Sequence, residues 1–130
     1  MTIETALRTL IVNDEDIGAL IGERCYPLRI PQDVERPAIA YRRISGKRVV
    51  SHSGPSNLAR PRFEFECVAS RYSDLVALAN GLRRLLDGRK HTVAGVEIQA
   101  GFIENEADDY GDVAQLYGRR LDFFIWHREV

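Results

Sequence analysis

The sequence predicts an α+β fold, with a mostly antiparallel sheet of about five strands and two or three helices packed on one face. Two observations lead to this prediction. Apolar residues recur at helical spacing in three stretches, and in other stretches they alternate with polar residues, as they do in strands. A chain of 130 residues has the usual size of one domain, so we expect a single domain over residues 1–130.

The first predicted elements are two helices. Ile3 to Val12 has apolar residues at helical spacing, and Asn13-Asp14 offers an end to that helix and an N-cap for the next. The second helix, Asp14 to Ile21, would end at Gly22. Three prolines in the following segment disfavour a helix or a central strand, so we expect an irregular connector up to Pro37.

A strand over Ala38 to Ile44 follows, and the polar, aperiodic segment Ser45 to Ala59 is expected to be a long loop. The centre of the fold is predicted in Arg60 to Leu86, as one strand and one amphipathic helix. Ser73 is the predicted N-cap of this helix, and Gly88 ends it. The apolar strand face and the helix stripe that should cover it are Phe63, Phe65, Cys67 and Ala69, and Leu75, Leu78, Ala79, Leu82, Leu85 and Leu86.

The C-terminal part predicts a hairpin, a loop and a last strand. The hairpin begins at His91 and turns near Ala94-Gly95, and its second strand continues to about Ile103. Glu104 to Asp112 is expected to be a second polar loop, strongly acidic. The last strand lies within Leu116 to His127. Its inward residues would be Leu121, Phe123 and Ile125, with Phe124 and Trp126 on the other face.

Several classes of protein are excluded by composition. No apolar run is long enough for a transmembrane helix, and the N-terminal segment lacks the apolar core of a signal peptide. Two cysteines, Cys25 and Cys67, are too few for a disulfide framework, and Cys67 is expected to be a free buried thiol. We therefore expect synthesis in a reducing, intracellular compartment.

No motif for catalysis or ligand binding is present. The histidines do not have the spacing of a zinc site, and the aspartates near residue 110 lack the order of a calcium loop. No nucleophile elbow and no P-loop are found. The sequence thus predicts no catalytic residue, no cofactor and no metal. The residues considered are His52, His91 and His127, and Asp108, Asp109 and Asp112.

Charge is separated along the chain. The net charge of -1 argues against a dedicated nucleic-acid binder. Pro37 to Phe63 contains no acidic residue, and His91 to Gly118 contains no Lys or Arg. A basic and an acidic patch on one surface are complementary between copies placed head to tail, and such contacts can close into a ring. The candidate interface residues are Arg42, Arg43, Lys47, Arg48, His52, Glu104, Glu106, Asp108, Asp109 and Asp112.

Recognisable residue patterns occur in three segments, Ile21 to Gly46, Ser53 to Leu86 and Asp108 to His127. In this order they resemble the tail completion, or tail terminator, family of long-tailed bacteriophages and prophage-derived particles. Cys25 departs from the aliphatic residue expected at its position. The resemblance rests on Gly22-x-Arg24, Tyr26-Pro27, Pro31-Gln32, Pro37 and Tyr41, and on Asp109-Tyr110, Asp122-Phe123 and Trp126.

The resemblance implies a structural protein of the virion tail, made in the bacterial cytoplasm. It implies a ring, typically a hexamer, that caps the head-proximal end of the tail tube, stops its growth and offers a surface to the head–tail connector. Its partners would be further copies of itself, the tail tube protein and the connector protein, with DNA only as passing cargo and no membrane. Two alternatives stay open, namely another neck or connector component and a small nucleic-acid-binding module that uses Arg42, Arg43, Lys47 and Arg48.

Overall fold

The computed structural model describes residues 2–45, 48–51, 54–111 and 114–129, and its description of residues 48–51, 54–57 and 129 is confined to the backbone. Within these residues, three helices and eight strands are present. The helices are α1 (Ile3–Asn13), α2 (Glu15–Ile21) and α3 (Tyr72–Leu86). The strands are β1 (Cys25–Pro27), β2 (Ala38–Ser45), β3 (Arg48–Ser51), β4 (Gly54–Ala59), β5 (Arg62–Ala69), β6 (His91–Val93), β7 (Val96–Gly111) and β8 (Leu116–Glu129).

The first two helices confirm their prediction. Asp14 ends α1 and caps α2, because its Oδ2 accepts a hydrogen bond of 3.0 Å from the Ile17 N–H. Gly22 follows α2 with a φ of +59°, a conformation that favours glycine. Sequence-local signals were sufficient here because both ends of α2 are set by residues next to it.

The prediction of Ser73 as the N-cap of α3 was wrong. The helix begins two residues earlier than predicted, at Tyr72, and the N-cap position belongs to Arg71, which makes no side-chain capping hydrogen bond. The first turn is closed by the main chain instead, with the Leu75 N–H donating to the Arg71 carbonyl at 3.1 Å. At the other end Gly88 follows the helix with a φ of +70°, as expected.

The core lies between the three helices and one face of the sheet. All the predicted inward residues of β5, α3 and β8 are buried. Phe65 lies edge-on to Phe123, with ring centroids 5.8 Å apart, where β5 and β8 are neighbours. The two cysteines are buried free thiols, as predicted for Cys67. The α+β prediction, with helices over a mostly antiparallel sheet, is therefore confirmed.

The number of strands was underestimated, in part because two predicted loops are strands. The segment Ser45 to Ala59 contains β3 and β4, which pair with each other in antiparallel register. The segment Glu104 to Asp112 is the distal half of β7, which continues to Gly111 beside β8. The proline-rich connector also contributes β1, a short strand parallel to β2. The sheet therefore has eight strands within the described residues rather than about five.

Two long antiparallel ladders organise the sheet. In the first, β2 and β3 run beside β5 and β4. In the second, β7 pairs with β8 over nearly the whole length of both strands. The ladders join where β5 and β4 lie along β8 in one register, interrupted at Arg60-Pro61, where the Ile125 N–H donates to the Pro61 carbonyl at 2.9 Å. The order from one side of the sheet to the other is thus β1, β2, β5, β8, β7, β6, with β3 and β4 continuing β2 and β5.

Candidate assembly edges

The two oppositely charged segments form opposite edges of the sheet. β2 and β3 lie at one side, and β7 lies at the other, with β5 and β8 between them. We call residues 42–45 and 48–51 the basic edge and residues 104–111 the acidic edge. The sequence separation of charge therefore becomes a spatial separation across the width of the sheet.

The basic edge starts where the short strand β1 stops covering β2. β1 pairs with β2 only as far as Tyr41, whose carbonyl accepts a hydrogen bond of 2.8 Å from the Leu28 N–H. Arg43 lies two residues further on, on the same side of the strand, and has no main-chain partner there among the described residues. Beyond it, β3 pairs with β4 and has no second neighbour in the sheet.

Both described arginines of the basic edge have carboxylate partners in their own chain. Arg42 Nε lies 3.1 Å from Glu64 Oε1 on the neighbouring strand. Arg43 Nη2 lies 2.7 Å from Glu4 Oε1 at the start of α1, and its guanidinium also lies over the ring of Phe63. The backbone of Arg48 lies in β3, while Lys47 and His52 are outside the described residues. Part of the positive charge of the basic edge is thus neutralised by carboxylates of the same chain.

The acidic edge begins where other elements stop covering β7. β6 pairs with β7 only at Val96 to Ile98. The end of α3 covers the next part, since the Gly88 N–H donates to the Gly101 carbonyl at 2.7 Å and the Ile103 N–H donates to Asp87 Oδ1 at 3.1 Å. From residue 104 to 111, β7 pairs only with β8 among the described elements.

Two carboxylates of the acidic edge are held by arginines of the same chain. Asp108 accepts two hydrogen bonds from Arg119 directly across the strand pair, at 2.6 and 3.2 Å. The Arg119 hydrogen bonds hold the pKa of Asp108 below its usual value, and the pKa of Arg119 is raised in return. Glu106 Oε2 lies 3.2 Å from Arg83 of α3.

Glu104 and Asp109 are exposed and make no ion pair within the described part of the chain. Asp112 is outside the described residues. The acidic edge thus keeps at least two uncompensated carboxylates facing solvent. The role of these residues in an interface stays a prediction, but the structure brings them together on one strand.

An aromatic patch on the outer sheet face, away from the helices, was only partly anticipated by the sequence. Phe102 is half exposed and lines an open pocket of about 400 Å³ together with Trp126. The Arg60 guanidinium lies over the rings of Phe124 and Trp126, 4.8 and 5.4 Å from their centroids. Phe102 could have been assigned to this face only by extending the alternation of β7 through its bulges. The remaining lining residues of the pocket are Leu58, Gln99, Ala100 and Arg128.

The described residues contain no group of three His, Cys, Asp or Glu side chains placed to hold a metal ion. Asp108 and Asp109 are consecutive residues of a strand, so their carboxylates point to opposite faces and cannot share a cation. Of the histidines, His91 Nε2 contacts the Leu85 carbonyl at 2.7 Å, and His127 in β8 is buried. Among the helices described, none has the length and apolarity needed to cross a bilayer.

Comparison with known proteins gives a family match and structural matches. The family described as "Tail completion protein gp17" matches residues 5–128, which is nearly the entire chain. Among solved structures, a chain from the "Virion of native gene transfer agent (GTA) particle" superposes with a TM-score of 0.74 at 16% sequence identity. The match covers 98% of this chain and 93% of that one. No curated protein sequence matches.

Proposed function

This chain belongs to the tail completion protein gp17 family, and on that premise we propose that it caps the head-proximal end of a tail tube as an oligomeric ring. It is a structural component of a phage-type tail, since the family match extends over residues 5–128 and so includes at least part of every described helix and strand. The finer role is to end tube growth and to provide the surface to which the head–tail connector joins. No catalytic step belongs to this proposal.

The observation that supports a ring is the placement of opposite charges on opposite sheet edges. A contact between two different surfaces of identical chains is heterologous, and it closes when the rotation between neighbours permits. Complementary charge fixes the register and the partner of such a contact more than it adds affinity. A ring of about six copies is the size implied by the family resemblance of the sequence.

The tail tube protein, the connector protein and passing DNA complete the proposed surroundings. Carboxylates that face a lumen would repel the phosphates of DNA and let it pass without binding. A dedicated DNA-binding role finds less support, because Arg42 and Arg43 are already paired with Glu64 and Glu4. Binding to DNA that weakens steeply with salt would reverse this assessment.

Solution mass and tube assembly test the proposal together. We expect light scattering to give a mass near six times 14.7 kDa, and negative-stain images to show closed rings. Tail tubes that have bound the chain should stop elongating when fresh tube protein is added. As a matched control, tubes without the chain should continue to grow.

Two outcomes would contradict this function. A chain that stays monomeric both alone and on tubes would exclude the ring. A chain that binds connector protein while tube growth continues unchanged would identify it as another neck component.

A further inference from the structure

We infer that neighbouring subunits join by sheet augmentation, with the acidic edge of β7 in one copy added to the basic edge of β2 and β3 in the next. This inference rests on the proposed ring and specifies its interface. The partner is a second copy of this chain, and the contact consists of main-chain hydrogen bonds between two edge strands. Four observations lead to it: unused backbone groups, strand direction, charge and edge length.

The backbone of the acidic edge has hydrogen-bonding groups directed away from the sheet. Ile125 directs its N–H toward Pro61, so by the alternation of antiparallel strands the odd-numbered residues of β8 bond to the β5 side. Their partners in β7 beyond the bulge therefore direct their own N–H and C=O groups outward. These partners are Glu106, Asp108 and Tyr110.

The same alternation holds at the basic edge. Ile39 donates its N–H to Arg24 and the Tyr41 carbonyl accepts from Leu28, so the odd-numbered residues of β2 face outward. Arg43 is the next residue in this series, and β1 does not reach it. The acidic edge therefore offers a row of main-chain donors and acceptors, and the basic edge continues the outward series of β2 at Arg43, which suits both for strand addition.

Strand direction is compatible with a ring. Three successive antiparallel pairings, β2 with β5, β5 with β8 and β8 with β7, make β2 and β7 run in opposite directions. Rotation about an axis along the strands leaves these directions unchanged. A neighbour placed by such a rotation therefore presents its β2–β3 edge antiparallel to β7, which is the more stable pairing per residue.

Charge selects this pairing over the alternatives. Two acidic edges placed together would oppose Glu104, Glu106, Asp108 and Asp109 with a second identical set, and like charges facing each other are destabilising. The unpaired carboxylates of Glu104 and Asp109 would instead meet the basic edge of the neighbour. Carboxylates without an ion pair on the free acidic edge also disfavour uncontrolled strand addition.

The free part of β7 is long enough to pair with a strand of a neighbouring subunit. β7 continues for residues 104–111 with β8 as its only described neighbour, and its side chains there are largely exposed. A strand of this length with both faces exposed buries little apolar surface in the monomer. Pairing with a neighbour would satisfy its outward backbone groups.

Proline substitution removes one outward N–H and tests the interface directly. Asp108→Pro should lose ring mass under conditions where wild type is fully assembled, with association about tenfold weaker or more. The matched control is Asp108→Ala, which lacks the same carboxylate but keeps the N–H, and it should still form rings. Arg43→Pro and Arg43→Ala form the corresponding pair on the basic edge.

Mixing the two proline variants gives the sharpest result. Asp108→Pro keeps an intact basic edge, and Arg43→Pro keeps an intact acidic edge. An equimolar mixture should therefore form a discrete dimer of about twice the chain mass, while each variant alone stays monomeric. An isologous interface, or one formed by the aromatic patch, predicts no such dimer.

Circular dichroism of each proline variant checks that it is folded.

Cross-linking between introduced cysteines tests the same interface without a proline substitution. Both native thiols are buried, and burial raises the pKa of Cys25 to about 12 and that of Cys67 further, so neither should react in the folded chain. A chain with Arg43→Cys and Asp108→Cys, treated with a short bis-maleimide, should give a ladder of covalent oligomers. Either single variant should give at most a dimer.

The outcomes separate this inference from the proposed function. Rings formed by wild type and equally by both proline variants would overturn edge pairing and leave the capping ring intact. Absence of the cross-linked ladder in a wild-type-like ring would do the same. Absence of any ring in wild type, alone and on tubes, would overturn both.

Discussion

At the scale of single residues, Asp14 both caps α2 and joins it to α3. Its carboxylate caps α2 and also lies 2.8 Å from Arg84 Nη2, although 70 residues separate the two in sequence. Burial alone would raise the pKa of Asp14, but the hydrogen bonds from Arg84 and from the Ile17 N–H outweigh it, so the pKa lies below 3.8. One side chain thus fixes both the start of a helix and its contact with another.

Replacing Asp14 should measure this double role. Asp14→Ala loses the cap and the ion pair and should lower the free energy of unfolding by about 1–2 kcal/mol, whereas Asp14→Asn retains a capping oxygen and should cost less. Denaturant unfolding at pH 7 provides the measurement. The control is Asp16→Ala, because Asp16 is highly exposed and its 3.4 Å pair with Arg84 should contribute little.

The same residue predicts a pH dependence with a definite sign. Because the folded-state pKa of Asp14 is lowered, its contribution is complete above pH 3.8 and is lost as pH falls through the lowered pKa. The destabilisation caused by Asp14→Ala should therefore shrink in acid. Equal destabilisation at pH 7 and in that acid range would contradict the assignment.

At the scale of elements, the junction between α3 and β7 requires a glycine. The Gly101 carbonyl accepts from Gly88, and a Cβ on Gly101 would lie 2.6 Å from the carbonyl oxygen of Leu86 in the last turn of α3. That oxygen belongs to the main chain, so it cannot move aside as a side chain would. The close approach lets the helix end join the sheet.

Gly101→Ala should therefore destabilise the fold by about 1–3 kcal/mol, because the helix end must separate from β7. Thermal or denaturant unfolding measures it. Gly111→Ala in the same strand is a matched control, since a Cβ there meets nothing within 4 Å, and it should change stability by less than about 0.5 kcal/mol. Equal effects of the two substitutions would exclude a packing requirement at Gly101.

At the scale of the whole molecule, the two faces and the two edges of the sheet differ in what covers them. The helices cover one face, the aromatic patch occupies part of the other, and the charged edges lie at the sides. If subunits join through their edges, the outer face takes no part in that contact. The subunit interface and the aromatic patch are then separate parts of the molecule.

Trp126 can report on this division because it is the sole tryptophan of the sequence and lines the outer-face pocket. Ring formation through the edges should leave its fluorescence emission maximum unchanged. Trp126→Phe serves as the control that shows the emission comes from this residue. A blue shift that follows the assembly of isolated subunits would instead place the aromatic patch in the subunit interface.

The sequence predicted the elements with one buried face. Apolar residues alternate in β5 and recur at helical spacing in α1 and α3, because each of these elements turns one face toward the core. The caps at Asp14 and Gly22 were readable because each acts on residues beside it. The absence of a buried face explains the failure in β7, because its distal half is exposed on both sides and has no pattern to read.

What the sequence determined by itself was therefore the α+β class, the core, the buried thiol of Cys67, the family resemblance and the separation of charge along the chain. Only the tertiary structure decided that the two charged segments are strands at opposite edges of one sheet. It also decided that four of the six described charges on the two edges are paired internally, as Arg43 is with Glu4 and Asp108 with Arg119. The physical reason is that strand pairing and ion pairs join residues far apart in sequence, whereas periodicity records only which face of a local segment is buried.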